Sequence, residues 1–389
     1  MSMLIFLNLG CMAWLYVPVN GRLFLISFFC LSLTIVMDSS SSSHLLKNED
    51  EKVHEDPPIK DATVNKYGEI MSTLPREKDW AKSCDDLYQY QGFWYTGFFL
   101  EGILSAQDHF KARSTDILLV SCMKTGTTWL KALAFAIFTR ASFDTSSNPL
   151  LSKGPHDCIP FLEVDLAQEY SRRDMEIQLL NTHIPYTSLP KSIIDSGCKI
   201  VYIWRDPKDV FISTWFYVGK VLAFMGFEPL PMEESFELFC RGILTYGPYW
   251  DHVLGYWKAK LEFPDRILFL KYEEMQKDTY FYVKKLAEFM GYPFTSLEEE
   301  NGVAHKITEF CNFENLSNLQ VNKSGKHREN TPMAIDNNIF FRKGKVGDWE
   351  NHLTPEMGAR LDGIMKHKLM CSGLIASSHE ILCPPKCPK

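Results

Sequence analysis

The sequence has few of the patterns that identify metal sites and disulfide frameworks. Its eleven cysteines are an odd number, and only Cys383 and Cys387 lie close together, so reduced thiols are favoured over a disulfide framework. No His-Glu-x-x-His segment and no Cys-x-x-Cys pair occurs, so no metal is expected. The formal net charge of −7 excludes a general attraction to nucleic acid or to an anionic membrane. An anionic ligand would therefore need a local group of positive side chains.

The two ends of the chain differ from its body. Residues 1–36 form an apolar leader of doubtful status, typical of a signal peptide or a membrane anchor. A polar segment follows that opens with its own methionine, Met37, and the preferred hypothesis is that translation starts there or that the leader is not retained. Residues 37–69 and 376–389 are expected to be disordered. One folded domain is expected over residues 70–375.

Four apolar, strand-like runs recur in this body, and each is followed by a turn and a helical pattern. They cover residues 117–120, 177–180, 199–204 and 266–271, and Gly291 is expected to end the helix after the last run. Repeated strand-helix units predict an α/β fold with a central, mainly parallel sheet flanked by helices. In such sheets ligands collect at the carboxyl ends of the strands. Lys124, His183, Arg205 and Tyr272 all follow predicted strands.

The segment from Ser121 to Leu133 places Lys-Thr-Gly-Thr-Thr between an apolar strand and an apolar helix. The first N–H groups of a helix have no internal partner and lie at the positive end of its dipole, so an anion is stabilised there. Gly126 allows the backbone to approach such an anion closely. Lys124 precedes the glycine, whereas the lysine of an ATP or GTP loop follows its glycines. The loop is therefore only P-loop-like, and an ordinary loop with a solvated lysine is the alternative.

Two further segments carry candidate site residues at strand ends. His183 enters a loop fixed by Pro185, although a lone histidine is more often structural. Arg205 ends a buried strand, and Ser213 lies two helical turns later on the same face, where both can bind a phosphate. An ion pair between Arg205 and Asp209 at the start of the helix is an equally open interpretation.

The segment from Phe340 to His352 is basic and contains two glycines. Arg342, Lys343 and Lys345 surround Gly344, and such a group can form a mobile clamp for an anion. Taken alone, the same residues could be no more than a solvated basic turn.

Together these four segments resemble the cytosolic sulfotransferase family, plant type, from about Tyr88 to Leu374. That family is known by a Lys-Ser/Thr-Gly-Thr-Thr-Trp loop, a Thr-His-hydrophobic-Pro segment, an Arg-Asp-Pro-Lys-Asp segment and an Arg-Lys-Gly-x-x-Gly-Asp-Trp segment, which occur here in that order. The resemblance implies transfer of a sulfuryl group from 3′-phosphoadenosine 5′-phosphosulfate to an acceptor hydroxyl. It implies the base His183 and nucleotide contacts from Lys124, Thr125, Gly126, Thr127, Thr128, Trp129, Arg205, Ser213, Tyr272, Phe313, Arg342, Lys343 and Gly344.

The residue types suit this chemistry. A base must take the proton of the acceptor hydroxyl, and an imidazole with an ordinary pKa of about 6.5 can do so near neutrality. Charge grows on the bridging oxygen of the leaving phosphate, where Lys124 and the loop amides can stabilise it. Lys124 is thus the second catalytic candidate.

The sequence departs from the family pattern at several positions. Met123 stands where proline is usual, so the loop is expected to be less rigid. Asn181 stands where animal members have a second lysine, which leaves Lys124 as the main cation, and Cys311–Asn312 replaces a small hydroxyl pair. Residues 350–359 lack the dimerisation motif of animal members, so a monomer is expected.

The acceptor is less well defined. Phe161 and Tyr217 suggest a flat hydrophobic pocket for a small phenolic, flavonoid, steroid or hydroxyjasmonate-type acceptor, although both could be core residues. A cytoplasmic enzyme is expected, with no nucleic-acid partner. The alternatives are a catalytically silent nucleotide-binding protein of the same fold, a membrane-anchored sulfotransferase, or a phosphotransferase, for which no magnesium-binding carboxylate can be assigned.

Overall fold

The computed structural model of the protein describes residues 8–9, 12–19, 22–27, 59–81, 86–166, 178–331, 333–370 and 372–374. The tail predicted at residues 376–389 and the polar segment 37–58 lie outside these ranges, and so does Cys383–Cys387.

The strands and helices of the described residues are numbered in chain order. The strands are β1 Asn8–Leu9, β2 Met12–Val19, β3 Arg22–Ser27, β4 Arg76–Glu77, β5 Leu87–Tyr90, β6 Phe93–Tyr95, β7 Ile117–Ser121, β8 Leu179–Thr182, β9 Lys199–Trp204, β10 Ile267–Lys271, β11 Lys326–His327 and β12 Ile335–Asp336. The helices are α1 Ile59–Ser72, α2 Gly97–His109, α3 Thr127–Thr139, α4 Pro155–Cys158, α5 Leu162–Asp165, α6 Lys191–Ser196, α7 Pro207–Phe224, α8 Met232–Cys240, α9 Tyr249–Glu262, α10 Tyr272–Lys277, α11 Thr279–Met290, α12 Ser296–Glu300, α13 Val303–Phe310, α14 Phe313–Asn318, α15 Gln320–Ser324 and α16 Pro355–Leu369. Short 3₁₀ turns occupy Pro149–Leu151, Tyr186–Ser188, Asn337–Phe340 and Asp348–Asn351.

The central sheet has the strand order β10-β9-β7-β8, and all three pairings are parallel. The four predicted runs are its four strands, so the predicted α/β fold is confirmed. Strand β8 begins at Leu179 and extends two residues beyond the predicted run, while residue 177 lies outside the described part. Thr182 pairs with Val120, and Ser121 pairs with Ile203. The carboxyl ends of β7, β8 and β9 therefore lie side by side.

Both faces of the sheet are covered, which explains why its strands are continuously apolar. Alternate residues of β7 point into different cores: Leu118 and Val120 pack in one hydrophobic cluster, and Ile117 and Leu119 in the other. The second cluster contains α3, whose alanines and leucines are buried against the sheet. Helix α3 therefore starts at the site edge and is held along its length by the core.

Two helix boundaries follow the sequence signals. Pro207 is the first residue of α7, and the Asp206 carboxylate accepts a hydrogen bond from the Lys208 N–H as the N-cap. Gly291 ends α11 with a left-handed φ of 91°, as predicted.

The folded part begins earlier than predicted. Helix α1 starts at Ile59, inside the segment predicted to be disordered, and Tyr67 is buried in the core with its hydroxyl 3.0 Å from the Asp108 carboxylate. Tyr67 and Met71, both buried in the core, thus hold the helix. The two apolar runs of the leader contain β2 and β3, which pair antiparallel. Among the residues that the structure describes, no helix is both long and apolar enough to cross a membrane.

Gly102 on α2 allows α2 to pack against α5. A Cβ at this position would lie 1.9 Å from the carbonyl oxygen of Glu163. We predict that Gly102→Ala lowers the free energy of unfolding by about 1–3 kcal/mol, because a backbone carbonyl cannot move aside as a side chain can. Gly363→Ala on α16 is the matched control, because its Cβ would meet nothing within 4 Å, and it should stabilise by about 0.5–1 kcal/mol. Denaturant unfolding measures both changes, and equal effects would contradict the assignment.

Candidate active site

A cavity at the carboxyl edge of the central sheet brings the four predicted strand-end side chains together: Lys124, His183, Arg205 and Tyr272. Of the other residues predicted for the site, it is lined by Gly126, Thr127, Thr128, Trp129, Ser213, Tyr217, Phe313, Arg342, Lys343 and Gly344. Thr125 and Phe161 do not line it.

The loop between β7 and α3 is fixed from inside the protein. Thr125 is fully buried, and its hydroxyl, which has one hydrogen to donate, lies 2.9 Å from the carbonyl oxygen of Cys122 and 3.1 Å from that of Ile203. The hydroxyl thus helps to hold the loop to the end of β9, and the nucleotide contact predicted for Thr125 stays a prediction. Gly126 has a φ of 118°, and a Cβ there would lie 2.8 Å from the Tyr272 ring. Glycine is thus required at this turn.

Lys124 adopts a left-handed backbone conformation with a φ of 66°, which is unusual for a residue other than glycine. Its ammonium group lies 4.1 Å from the centre of the Tyr217 ring. Burial, followed by the positive charges of Arg342, Arg205 and Lys220, lowers the pKa of Lys124 to about 7. These surroundings favour the neutral form of Lys124. A bound anion would favour the charged form and raise the pKa again.

The His183 ring has a defined tautomer. Its Nδ1 lies 2.6 Å from the Ser121 carbonyl oxygen, which can only accept, so Nδ1 carries the hydrogen. Nε2 is then the ring nitrogen with the free lone pair. Burial is the main cause that lowers the pKa of His183 to about 3, while the hydrogen bond to Ser121 opposes the shift. The imidazole is therefore neutral at pH 7, with its lone pair on Nε2.

The His183 backbone is clamped on both sides. Its N–H donates to Glu163 at 2.9 Å, and its carbonyl oxygen accepts from His252 Nε2 at 2.9 Å. Glu163 is 1% exposed and also accepts from the Thr182 hydroxyl at 2.8 Å. The rings of Phe161 and Tyr246 lie 5.0 and 5.3 Å from the imidazole. Phe161 therefore lies against the base although it is outside the cavity lining.

Arg205 forms the ion pair with Asp209 that its sequence position suggests, and it also lines the cavity. Its Nη2 donates to the Asp209 carboxylate at 3.0 Å and to the Lys345 carbonyl at 2.5 Å. Its guanidinium also lies 4.4 Å from the centre of the Tyr272 ring, and both residues line the cavity with Ser213. The ion pair thus orients an arginine that still faces the cavity.

Two carboxylates organise the basic loop after the 3₁₀ turn Asn337–Phe340. Asp348 pairs with Arg342 and, at 2.9 Å, with Lys343. Asp209 accepts from the backbone N–H groups of Gly347 at 2.8 Å and Trp349 at 3.1 Å. The loop is therefore anchored to α7, beside Arg205.

Gly344 also allows a close approach in this loop. A Cβ at position 344 would lie 2.3 Å from the Phe313 ring, and its φ is 62°. Phe313 begins α14 and is brought to the cavity over this glycine.

The cavity fits a phosphorylated ligand by its unused hydrogen-bond donors. Arg205 Nε and Arg342 Nε are both buried and have no acceptor among the described residues. Buried donors of this kind are costly unless they are satisfied, and guanidinium groups bind phosphate well. The N-terminus of α3 adds further N–H groups at the same cavity.

The positions that depart from the family pattern differ in their surroundings. Asn181 is buried, and its side-chain amide donates to the Leu119 carbonyl at 2.9 Å, so it is directed into the sheet. Asn312 lines the cavity, and its side-chain oxygen accepts from the Asn315 N–H at 2.7 Å as the N-cap of α14. Met123 lines the cavity as well.

Two residues at the site, His156 and Glu163, were not predicted from the sequence. His156 lines the cavity from α4, and its Nε2 lies 2.9 Å from the Thr128 hydroxyl. Glu163, Asp209 and Asp348 act from behind the lining. For Glu163 the only hint was its place in the "IPFLE" segment beside Phe161. No group of three or more metal-ligating side chains occurs in the described part of the chain.

Comparison with known proteins shows to which family this chain is similar. A sequence-family profile described as a sulfotransferase domain matches residues 114–373. Cytosolic sulfotransferase 16 of Arabidopsis thaliana is 52% identical over 316 residues, which cover 80% of this chain and 93% of the relative. Flavonol 3-sulfotransferase of Flaveria bidentis is 48% identical over 309 residues, which cover 79% of this chain and 99% of the relative.

A solved structure agrees with the fold. The mouse sulfotransferase SULT7A1, crystallised with PAP, is 28% identical, with a TM-score of 0.57 over 74% of this chain and 95% of the mouse chain. Because the family profile and close relatives cover the sheet, the loop between β7 and α3, and the basic loop together, this chain belongs to the sulfotransferase family of enzymes.

Proposed function

We propose that this sulfotransferase moves the sulfuryl group of 3′-phosphoadenosine 5′-phosphosulfate to the hydroxyl of a small phenolic or hydrophobic acceptor. One observation carries the proposal. A neutral imidazole with a free Nε2, on His183, lines the same cavity as Lys124 and the two arginines with unused buried donors. A base and an anion site facing one cavity suit group transfer better than nucleotide storage.

The 3′-phosphate is assigned to Arg205, Ser213 and the Arg342–Lys343–Gly344 segment. Arg205 and Arg342 have unpaired buried Nε donors, and Ser213 lines the cavity from the same helix that begins beside Arg205. The mouse relative was crystallised with PAP, a ligand with this phosphate, which supports the assignment.

The 5′-phosphosulfate is assigned to the loop at the N-terminus of α3, with Lys124, Gly126, Thr127 and Thr128. The adenine is assigned to an aromatic group near this loop. The Trp129 and Tyr272 rings lie 5.5 Å apart, and Phe313 and Phe341 are separated by 6.2 Å. All four rings line the cavity, so a flat base can stack among them.

In the reaction His183 Nε2 takes the proton of the acceptor hydroxyl, and Nδ1–H remains bonded to the Ser121 carbonyl. Lys124 and the first N–H groups of α3 stabilise the charge that grows on the leaving phosphate oxygen. Glu163 and His252 keep the backbone of the base in place. The bound nucleotide supplies the activated sulfuryl group, and no metal is assigned to the reaction.

The acceptor is assigned to the aromatic side chains beside His183. Phe161 lies against the imidazole, and the buried Tyr246 ring supports the imidazole from behind with its centre 5.3 Å away. Tyr217 lines the same cavity next to Lys124. Relatives named flavonol sulfotransferases support a phenolic acceptor of the flavonoid type, with steroid and hydroxyjasmonate acceptors as further members of the same size class.

The proposal also covers location and assembly. Similar proteins named cytosolic sulfotransferases support a cytoplasmic enzyme, and residues 350–359, which lack the animal dimerisation motif, support a monomer. A membrane-anchored sulfotransferase is the alternative if residues 1–36 are retained, and N-terminal sequencing of the native protein separates the two.

The base is tested with sulfate-labelled nucleotide and a panel of phenols. Wild type should give a labelled product, and His183→Ala should give none while binding 3′-phosphoadenosine 5′-phosphate within a few fold, because the base contacts the acceptor and not the nucleotide. Scintillation counting and calorimetry provide the two readouts. Nucleotide binding by wild type without a labelled product would favour a catalytically silent protein.

The lowered pKa of Lys124 predicts how nucleotide binding depends on pH. With a pKa of about 7 in the free protein, Lys124 loses its charge as the pH rises through that value. Affinity for 3′-phosphoadenosine 5′-phosphate should therefore fall above about pH 7, by up to tenfold per pH unit, because the bound phosphates favour the charged lysine.

Lys124→Arg is the control, since arginine keeps its charge and should give a nearly flat profile from about pH 6 to 9. Glu163 and Lys131 titrate in the same range, with a pKa near 7 and 8. A pH dependence that persists in Lys124→Arg would assign the effect to those groups instead. Calorimetry at several pH values makes the comparison.

Arg205 is predicted to distinguish the 3′-phosphate. Arg205→Ala should weaken 3′-phosphoadenosine 5′-phosphate by about thirty- to a thousandfold and barely change adenosine 5′-phosphate, because only the former offers that phosphate. Ser213→Ala should act in the same direction by about three- to tenfold. Equal losses for both nucleotides would show that Arg205 acts through its ion pair with Asp209 and not on the ligand.

A further inference from the structure

His156 is a cavity residue to which the proposed reaction assigns no task. It lies on α4, away from the strand ends, and lines the cavity with Thr128. Its Nε2 is 2.9 Å from the Thr128 hydroxyl oxygen. Thr128 belongs to the first turn of α3. This turn directly follows the loop between β7 and α3 to which the 5′-phosphosulfate is assigned, which is called the phosphate loop below.

The imidazole of His156 is held by packing. Its ring lies 4.0 Å from that of Phe340, with the planes 32° apart, and 5.7 Å from that of His327. His327 is itself held at 2.6 Å by Asp157, the residue next to His156. Phe340 comes two residues before Arg342 in the basic loop. The ring is therefore fixed between the phosphate loop and the basic loop.

The hydrogen count at Thr128 decides which partner donates. A threonine hydroxyl has one hydrogen and two lone pairs. If that hydrogen were given to His156, nothing would remain to donate to an anion in the cavity. If instead His156 donates through Nε2–H, the hydroxyl accepts on one side and keeps its hydrogen for the ligand.

The charge state of His156 agrees with a neutral donor. Burial, together with the positive charges of Lys131, His327 and Lys124 and the neighbouring His183, holds the pKa of His156 well below its usual value. A neutral ring carries one hydrogen, on Nδ1 or on Nε2. Only the Nε2–H tautomer leaves the Thr128 hydrogen free.

We propose that His156 is a positioning residue whose Nε2–H donates to Thr128 Oγ1 and so turns the Thr128 hydroxyl hydrogen toward the 5′-phosphate end of the bound nucleotide. The inference rests on the proposed function, because it assumes that a phosphorylated nucleotide occupies this cavity. Two hydrogen bonds in series polarise each other, so the Thr128 hydroxyl becomes a better donor than an isolated one.

Calorimetry with 3′-phosphoadenosine 5′-phosphate tests the coupling of the two side chains. Thr128→Val should weaken binding by about tenfold, as expected for one hydrogen bond to a charged group, and His156→Leu by about fivefold, because the Thr128 hydroxyl keeps its hydrogen but is no longer oriented and polarised by the imidazole. The double variant should bind no more than about twofold more weakly than Thr128→Val alone, because His156 acts on the ligand only through the Thr128 hydroxyl. His156→Gln should recover most of the affinity, since its amide N–H can donate to Thr128.

Adenosine 5′-phosphate is the matched ligand. It shares the 5′-phosphate, so His156→Leu should weaken it by the same factor and leave the preference for the 3′-phosphate unchanged. Three results would each overturn the proposal: unchanged binding in His156→Leu, a full additional loss in the double variant, or a glutamine variant as weak as the leucine variant. The melting temperature of each variant shows whether it is folded.

Nitrogen-15 NMR tests the tautomer of His156 directly. It uses wild type with labelled histidine and bound 3′-phosphoadenosine 5′-phosphate, so no variant that could disturb the fold is needed. The Nε2–H form of His156 is expected, and the Nδ1–H form would overturn the proposal. If wild type binds the nucleotide but transfers no sulfuryl group, the proposed function fails while the coupling of His156 and Thr128 remains measurable. If folded wild type does not bind the nucleotide, both fail.

Discussion

The parallel pairing of β7 with both β8 and β9 is the constraint on which the site depends. Val120 lies opposite Thr182, and Ser121 lies opposite Ile203. The carboxyl ends of these three neighbouring strands are therefore at the same edge of the sheet. The Ser121 carbonyl, at the end of β7, is therefore within hydrogen-bond distance of the His183 ring that follows β8. A one-residue shift in this register would reverse the faces of a strand and remove that bond. The hydrophobic cores on both sides of the sheet hold the register, and with it the tautomer of the base.

Burial and neighbouring charges set the charge states of the side chains at this edge. Burial makes His183 neutral, and neighbouring cations add to burial in depressing the pKa of Lys124. The negative charges near the basic groups, on Asp209 and Asp348, bond to arginines and backbone N–H groups from behind the cavity. They orient the cations but leave Arg205 Nε and Arg342 Nε without acceptors among the described residues. Unpaired buried donors and an uncharged imidazole thus lie at one cavity.

Much of the fold was predictable because the strands are short, continuously apolar and separated by clear turns. The side chains that follow each strand within three residues were predictable for the same reason, and four of them, Lys124, His183, Arg205 and Tyr272, meet in the cavity. Residues that act through a contact far away in sequence were not. Glu163 holds a backbone twenty residues away, and Thr125 differs from the neighbouring threonines only because its hydroxyl bonds Ile203 on another strand. The beginning of the folded part was also misplaced, because a few apolar residues, including the buried Tyr67 and Met71, hold α1 to the core despite its polar composition.

The sequence by itself determined the sheet, the loop between β7 and α3 with its required Gly126, and the polar side chains that follow each strand, since these depend on local propensity and on residue order. Tertiary structure alone decided how those groups are used. The contact with the Ser121 carbonyl determines which nitrogen of His183 carries the hydrogen. The Asn181 amide bonds within the sheet, and Asp209 links the Arg205 ion pair to the basic loop. The physical reason is that hydrogen-bond partners, burial and nearby charges set tautomers and pKa values, and these partners come from distant parts of the chain.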